Sequence, residues 1–542
     1  MNRRSFLTAA AASALAPAFF TSRAVAEGLN YKALNAIRAI GLDETQSQVM
    51  KTASYMMDVL GPRLSGSPGF KKSADWVVSK MKEWGLDGAA LEPWPTDPTG
   101  TNNGFPRGWS NEKFYLHATT PNAFPISGMS IAWTPGTEGL VSGEAILVTE
   151  TDLTELRAKY AGKLRGKWIL AQPPIDMRAQ WDPVARRLTL EQLDALETPA
   201  RPPEQGANAQ GAAPAAPPTS PPPRSAPPAD RNPFFKAEGA LGVLATNKGH
   251  GVVNVLHGSR FDAPERLLPR INIEAEHYGR IARSAMQGQP VTIEADIRNV
   301  WYDNPDMFNV VGEIRGATRP NEVVIIGGHF DSFHAATGAT DNGGACSVAL
   351  EAMRLIKAVG AKPDRTIRVC LWNGEEQGLI GSRLYVAQHF GGVRGVPTPT
   401  EPRGDVVPVK RDHSRFQVYF NLDNGAGSIR GIHCQGNNAI APIFREWMEP
   451  IRDLGATHAS MRSTGSTDHA SFVAAGLPGF QFIQDPLEYE PKTHHTNMDY
   501  FEALQPEDMR RNAVIMAHFA LTAANHPTTL PRVDRPGPSP AR

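Results

Sequence analysis

The sequence predicts an α/β protein whose mixed, mainly parallel β-sheet is flanked by helices, and three stretches carry this prediction. Residues 323–326, 366–372 and 416–422 are short apolar runs rich in β-branched and aromatic side chains. Such runs are typical of strands that are buried on both faces of a parallel sheet. The first run stops at a Gly-Gly pair, and an amphipathic helical pattern over residues 345–358 follows it. The carboxyl ends of such strands are where α/β enzymes carry their chemistry.

Potential metal ligands follow each of these strands, and also a fourth predicted strand at residues 479–484. In chain order they are His329, Asp331, Asp341, Glu375, Glu376, Asp423, His494 and His495. One acidic residue at a strand end is usually solvated or caps the next helix. Recurrence after four strands favours a metal site instead. Carboxylates combined with imidazoles suit a borderline divalent cation such as zinc.

The order of these residues resembles that of the M28 zinc peptidases. The family pattern is H-x-D, an Asp in a Gly-rich loop, E-E-x-G-x-x-G-S, a later Asp, and H-T-x-x-D. The matching positions are His329 and Asp331, Asp341, the run from Glu375 to Ser382, Asp423, and the run from His495 to Asp499. The resemblance covers residues 300–527 and, more weakly, an N-terminal piece with the loop at residues 61–69. It implies the zinc exopeptidase fold.

The resemblance also implies two Zn²⁺ ions per chain and a role for each matching residue. Asp341 would bridge the ions, His329 and Asp423 would hold one ion, and Glu376 and His495 would hold the other. Glu375 would be the general base that takes a proton from a metal-bridging water and returns it to the leaving amine.

Asp331, two residues beyond His329, would accept the other imidazole N–H and so orient that ligand.

Three further residues are candidates for substrate binding. His494 occupies the position where some relatives carry a Tyr that assists catalysis. Asp468 and His469 resemble a family segment near the substrate pocket, and the alternative for them is a capped helix start with a surface His. A carboxypeptidase also needs a cation for the substrate's α-carboxylate, and Arg430 and Arg462 lie in suitable predicted loops. The other histidines, including His250, His257, His413, His433 and His458, are interpreted as ordinary surface or core residues.

The chain divides by composition into five predicted segments. They are a signal peptide at residues 1–26, an N-terminal part of the peptidase domain at 27–104, an inserted domain at 105–299 with a disordered Pro/Ala-rich loop at 200–230, the catalytic domain at 300–527, and a disordered tail at 528–542. Arg3 and Arg4 match the start of a twin-arginine signal, and residues 24–26 fit an A-x-A cleavage site. We therefore expect a periplasmic or secreted enzyme that is not inserted in a membrane after cleavage.

The predicted inserted domain contains short strands, for example at residues 143–148 and 166–171, and a small-residue helix at 235–243 that runs into residue 245. Its arrangement resembles a protease-associated domain, which M28 peptidases often carry as an insertion.

Composition excludes several classes of partner and site. The chain has 55 basic and 55 acidic residues, which leaves no net charge to attract nucleic acid. Its three cysteines, Cys346, Cys370 and Cys434, are too few and too scattered for a disulfide framework. We expect them to be small buried core residues.

Three classes of function are compatible with these residues. The preferred one is an exported exopeptidase acting on peptides or dipeptides, with aminopeptidase activity favoured over carboxypeptidase or dipeptidase activity. A second is a single-zinc cyclotransferase of the glutaminyl cyclase type, which has similar H-x-D-S and G-A-T-D segments, matched at residues 329–332 and 338–341. A third is a non-catalytic receptor-like module. The E-E-x-G-x-x-G-S match argues against the second, and the complete ligand set argues against the third.

Overall fold

The computed structural model describes residues 29–97, 100–198, 230–255, 257–392 and 407–533. The predicted signal peptide, the Pro-rich loop as far as residue 229 and the tail beyond residue 533 lie outside the described residues. The elements below therefore belong to the predicted peptidase and inserted domains.

A first eight-stranded mixed sheet carries the strand ends identified from the sequence. In spatial order its strands are β1 (Asp87–Pro93), β10 (Phe308–Ile314), β12 (Arg365–Trp372), β11 (Arg319–His329), β13 (Phe416–Asn421), β16 (Gly479–Gln484), β14 (Ile429–His433) and β15 (His458–Ser460). β11 pairs in parallel with both β12 and β13, and β13 pairs in parallel with β16. The four predicted site-bearing strands are therefore the parallel centre of the sheet, and antiparallel pairs flank them.

Helices flank the sheets, as predicted. In chain order they are α1 (Tyr31–Gly41), α2 (Val49–Ser54), α3 (Pro68–Glu83), α4 (Leu153–Tyr160), α5 (Leu190–Glu197), α6 (Asn232–Ala237), α7 (Ala275–Met286), α8 (Gly344–Ala358), α9 (Ile380–His389), α10 (Ala441–Met448), α11 (His469–Ala474) and α12 (Pro506–Asn525). Helices α8 and α12 pack on each other and on β11. Leu350 and Phe519 in these helices are fully buried, and burial of each such side chain stabilises the fold by about 2 kcal/mol. This packing fixes the strand end that carries His329.

The three cysteines are free and buried, which confirms their prediction as core residues.

The centre of α12 contains a buried histidine whose burial makes stability depend on pH. The Nε2–H of His518 donates to the Trp447 carbonyl at 2.7 Å, and burial lowers the pKa of His518 from 6.5 to about 4. The unfolded state therefore binds more protons between these two pH values, so the free energy of unfolding falls as pH falls from 6.5 towards 4.

We expect His518→Gln to flatten this dependence in urea unfolding at a series of pH values on metal-free protein. The exposed His250 provides the matched control, because His250→Gln should leave the slope unchanged. An unchanged slope in His518→Gln would contradict the assignment.

A second eight-stranded sheet is built from residues 107–303. In spatial order its strands are β3 (Phe124–Pro125), β2 (Arg107–Thr120), β9 (Thr292–Asp303), β5 (Val141–Leu147), β6 (Trp168–Leu170), β7 (Gly242–Ala245), β8 (Arg270–Ile273) and β4 (Gly128–Ser130). This sheet has its own apolar core, which includes Trp168, Ile293 and Tyr278. We call residues 105–299 the inserted unit; its classification as a protease-associated domain stays a prediction.

One helix predicted in the inserted unit is wrong in its extent. The predicted helix at 235–243 ends at Ala237, and Gly242–Ala245 is strand β7. Gly239 follows the helix with φ +77°, a left-handed conformation that ends helices. A short run of small apolar residues suits either a helix or a buried strand, so periodicity alone did not separate them.

The inserted unit also contacts the first sheet. The Leu196 carbonyl, in α5, accepts from the Met461 N–H at 3.1 Å, and Asp194 Oδ1 lies 3.1 Å from His458 Nε2. Among the ranges described above, the helices are too short or too polar to cross a membrane.

Candidate metal and catalytic site

The ends of β11 and β13 bring three predicted ligands together. His329 is the last residue of β11, and its Nε2 lies 3.0 Å from Asp341 Oδ1 and 3.6 Å from Asp423 Oδ1. All three side chains are buried, with exposed side-chain fractions of 1–6%. β11 and β13 are parallel neighbours, so His329 and Asp423 leave the same sheet edge.

A second set of predicted ligands shares Asp341 with the first. His495 Nε2 lies 2.9 Å from Glu376 Oε2 and 3.3 Å from Asp341 Oδ2. Glu376 follows β12, whereas His495 comes from the loop after β16. The two oxygens of Asp341 thus face different imidazoles, which places this carboxylate between the two sets.

The donor atoms fit a divalent cation. Asp341 Oδ2, Glu376 Oε1 and Asp423 Oδ1 are buried and accept no hydrogen bond. Buried carboxylate oxygens without a partner are costly, and a metal ion is one of the groups that satisfies them. Carboxylate and imidazole donors at this spacing suit zinc.

Burial and neighbouring charges shift the pKa values of the acidic residues in opposite directions. Burial raises the pKa of Glu375 well above its usual range, and Asp423 raises it further although His329 opposes the shift. Burial also raises the pKa of Glu376, with Asp341 as a second cause. For Asp341, burial is more than offset by the hydrogen bond and charge of His329, so its pKa is lowered. Asp341 therefore stays anionic more readily than Glu375 or Glu376.

Comparison with known proteins assigns the catalytic segment. Residues 309–520 match Peptidase family M28 and belong to this family. The chain is therefore an enzyme, a metallo-exopeptidase whose residues 309–520 form an M28 peptidase segment, and it contains the mixed α/β fold predicted from the sequence.

Two relatives and one solved structure show how far the similarity extends. Carboxypeptidase Q of Homo sapiens is 25% identical over 491 residues, which cover 90% of this chain and 88% of the relative. Aminopeptidase YwaD of Bacillus subtilis is 28% identical over 231 residues, covering 40% of this chain and 45% of the relative. A peptidase M28 precursor from Shewanella amazonensis matches with a TM-score of 0.62 at 20% identity, covering 94% of this chain and 98% of that one. The structural match shows a shared fold.

The carboxylate of Asp331 organises the loop of the M28 peptidase that carries both glutamates. It accepts from the backbone N–H groups of Glu375 at 3.2 Å and Glu376 at 3.3 Å, and from Ser65 Oγ at 3.0 Å. The structure differs from the sequence-based expectation in one respect. His329 Nδ1 lies 2.9 Å from the Asp331 backbone carbonyl oxygen and 3.7 Å from the carboxylate oxygen, so the carbonyl is the nearer acceptor.

The N-terminal loop at residues 61–69 supports the site. Arg63 is fully buried and donates to the carbonyls of Phe330 at 2.7 Å, Thr337 at 2.9 Å and Gly338 at 2.8 Å. These carbonyls belong to the chain between His329 and Asp341. Arg63 therefore holds the connection between two candidate ligands.

The last residue of the H-T-x-x-D motif holds Asp341 from the other side. Asp499 Oδ1 accepts from the Thr340 N–H at 2.6 Å, and Asp499 Oδ2 accepts from the Asp341 N–H at 3.1 Å. The motif thus joins the His495 loop to the backbone of the shared carboxylate.

The three candidates for substrate binding lie in two places. His494 is beside His495, whereas Asp468 and His469 are buried at the start of α11. The His494 ring lies 3.9 Å from the His495 ring, and its Nε2 is 4.0 Å from Asp341 Oδ2. Asp468 is fully buried, makes no capping hydrogen bond to α11, and has a pKa that burial raises to about 8. His469 is also fully buried and donates to the Thr464 carbonyl at 3.1 Å. The alternative of a capped helix start with a surface His is therefore wrong.

His257, interpreted from the sequence as an ordinary surface or core residue, lies near the site. Its ring stacks on Phe333 at 6.2 Å, and Phe333 meets His495 edge-on at 4.7 Å. Phe333 lines a small cavity together with Asp341 and Glu376. A lone His gives no local signal of such a contact.

The two arginines suggested for an α-carboxylate make other contacts. Arg430 lies in strand β14 rather than in a loop, and it donates to Asp485 at 3.0 Å and to the Leu188 carbonyl at 3.2 Å. Arg462 donates to the Ala195 carbonyl at 2.6 Å. Both side chains join the inserted unit to the first sheet.

Proposed function

We propose that the M28 peptidase is an exported aminopeptidase with two Zn²⁺ ions held around Asp341. The shared carboxylate carries this proposal. His329 lies against Asp341 Oδ1 and Asp423, whereas His495 lies against Asp341 Oδ2 and Glu376. Two ions bridged by one carboxylate need this division of ligands.

The residues that would hold the ions are His329 and Asp423 for one, Glu376 and His495 for the other, and Asp341 for both. When bound, the ions polarise the scissile carbonyl and lower the pKa of water.

Glu375 would act as general base. Its raised pKa allows it to hold a proton taken from water and then give that proton to the leaving amine. The Asp331 carboxylate accepts a hydrogen bond from the backbone N–H of Glu375 at 3.2 Å. This bond holds Glu375 in place next to Glu376.

The contacts of the candidate arginines favour a substrate with a free α-ammonium group over one that is held by its α-carboxylate. Arg430 and Arg462, the two cations suggested for an α-carboxylate, are engaged elsewhere. His494, beside His495, would contact the bound peptide. The N-terminal segment supports export to the periplasm or medium.

Carboxypeptidase or dipeptidase activity is the second candidate. The match to carboxypeptidase Q, which spans 90% of this chain, favours it.

Hydrolysis of matched peptides separates the candidates. Purified protein lacking residues 1–26 is incubated with Leu-Ala-Ala, its N-acetylated form and its C-terminally amidated form, and the products are identified by mass spectrometry. We expect release of Leu from the free and amidated peptides and no cleavage of the acetylated peptide. Cleavage of the acetylated peptide with release of Ala would establish the carboxypeptidase. Conversion of the N-terminal Gln of a parallel substrate, Gln-Ala-Ala, without peptide cleavage would establish the cyclotransferase.

A further inference from the structure

A short stretch of the inserted unit, residues 251–255, pairs with the loop that carries His495. The Val255 N–H donates to the His495 carbonyl at 2.7 Å, and the Asn497 N–H donates to the Val253 carbonyl at 3.0 Å. Between these two bonds, Asn254 and Thr496 form an antiparallel bridge. The two segments exchange backbone hydrogen bonds, as the strands of a two-stranded antiparallel ladder do.

The side chain of Asn497 closes this pairing. Its Oδ1 accepts from the Val253 N–H at 2.7 Å, and its Nδ2 donates to the Gly251 carbonyl at 3.4 Å. Both halves of the amide therefore face the backbone of the inserted unit. An apolar side chain here would leave the buried Val253 N–H without its acceptor, which is costly.

His495 needs such support because its backbone is in an uncommon conformation. Its φ is +55°, in the left-handed region that β-carbon-bearing residues rarely occupy. A residue of this kind keeps the conformation only where its surroundings hold it. Val255 holds the His495 carbonyl, and Phe333 packs edge-on against its ring.

We propose that the inserted unit positions a metal ligand, with Asn497 as the positioning residue that fixes His495 towards Glu376 and Asp341. This inference rests on the proposed function, because it assumes that His495 binds one of two ions. His329 stands at the end of β11, and Asp423 follows β13. Loss of the Asn497 contacts therefore weakens binding of one ion and spares the other.

The test is zinc binding by metal-free protein lacking residues 1–26, followed by competition with a chelator of known affinity. We expect Asn497→Ala to bind one ion as the wild type does and the second about 10- to 100-fold more weakly, the range found for residues that orient a metal ligand. Asn254→Ala is the matched control. It removes an amide from the same pairing, but that amide contacts only Asn247 among the described side chains, at 3.3 Å.

Asn497→Asp keeps the oxygen that accepts from Val253 and is expected to bind the second ion within a few-fold of the wild type. This variant also covers the case in which the alanine variant does not fold, which circular dichroism checks. Unchanged affinity for both ions in a folded Asn497→Ala, equal weakening of both ions, or equal loss in Asn497→Asp would overturn the inference. A wild type that binds fewer than two ions would instead overturn the proposed function.

Discussion

Replacement of Asp341 by asparagine is expected to abolish metal binding at both positions and, with it, peptidase activity. The two carboxylate oxygens lie 3.0 Å from His329 Nε2 and 3.3 Å from His495 Nε2, so both ligand sets depend on this one side chain. A neutral amide offers one oxygen and no negative charge. We expect zinc affinity to fall by more than about 100-fold at each position, beyond the effect of removing a residue that only orients a ligand.

Elemental analysis after dialysis against buffered free zinc measures this loss, and hydrolysis of a free dipeptide measures activity. Asp262→Asn is the matched control, because Asp262 is an exposed residue of the inserted unit. Retention of two ions by Asp341→Asn would show that the carboxylate is not shared.

Glu375→Gln is expected to separate catalysis from metal binding. The variant cannot take a proton from water, and general acid–base catalysis contributes about 100- to 10,000-fold to such reactions. The metal content should stay at the wild-type value because the adjacent Glu376, rather than Glu375, contributes to the ligand set. The expected result is a fall in kcat of at least about 100-fold at an unchanged number of ions per chain.

The exposed Glu502 gives the matched control, since Glu502→Gln makes the same chemical change away from the site. If Glu375→Gln lost metal together with activity, Glu375 would be a ligand and the general base would have to be sought elsewhere.

The sequence was most informative where local pattern and chemistry coincide. The apolar runs of β11, β12 and β13 show that these strands are buried on both faces, and buried parallel strands share one carboxyl edge. His329 and Asp423 could therefore be placed together without a structure. Glu376 and His495 needed the motif resemblance, because loops carry no periodicity that fixes where their side chains lie.

The contacts between distant parts of the chain were not predictable in the same way. Arg63 donates to three carbonyls that lie 267, 274 and 275 positions away in the sequence. Asn497 and Val253 meet across 244 positions. Neither side chain differs locally from an ordinary surface Arg or Asn. Packing of the N-terminal loop on the chain that follows β11 brings Arg63 to the site, and packing of the inserted unit on the His495 loop brings Val253 to Asn497.

We propose that Asp341 joins two metal positions, and the number of ions per chain tests this most directly. Purified protein lacking residues 1–26, prepared metal-free, is loaded with zinc, freed of excess metal, and measured by inductively coupled plasma mass spectrometry against its protein concentration. We expect two zinc ions per chain and activity that rises with the loading. One ion per chain at full activity, or full activity with no bound metal, would contradict it.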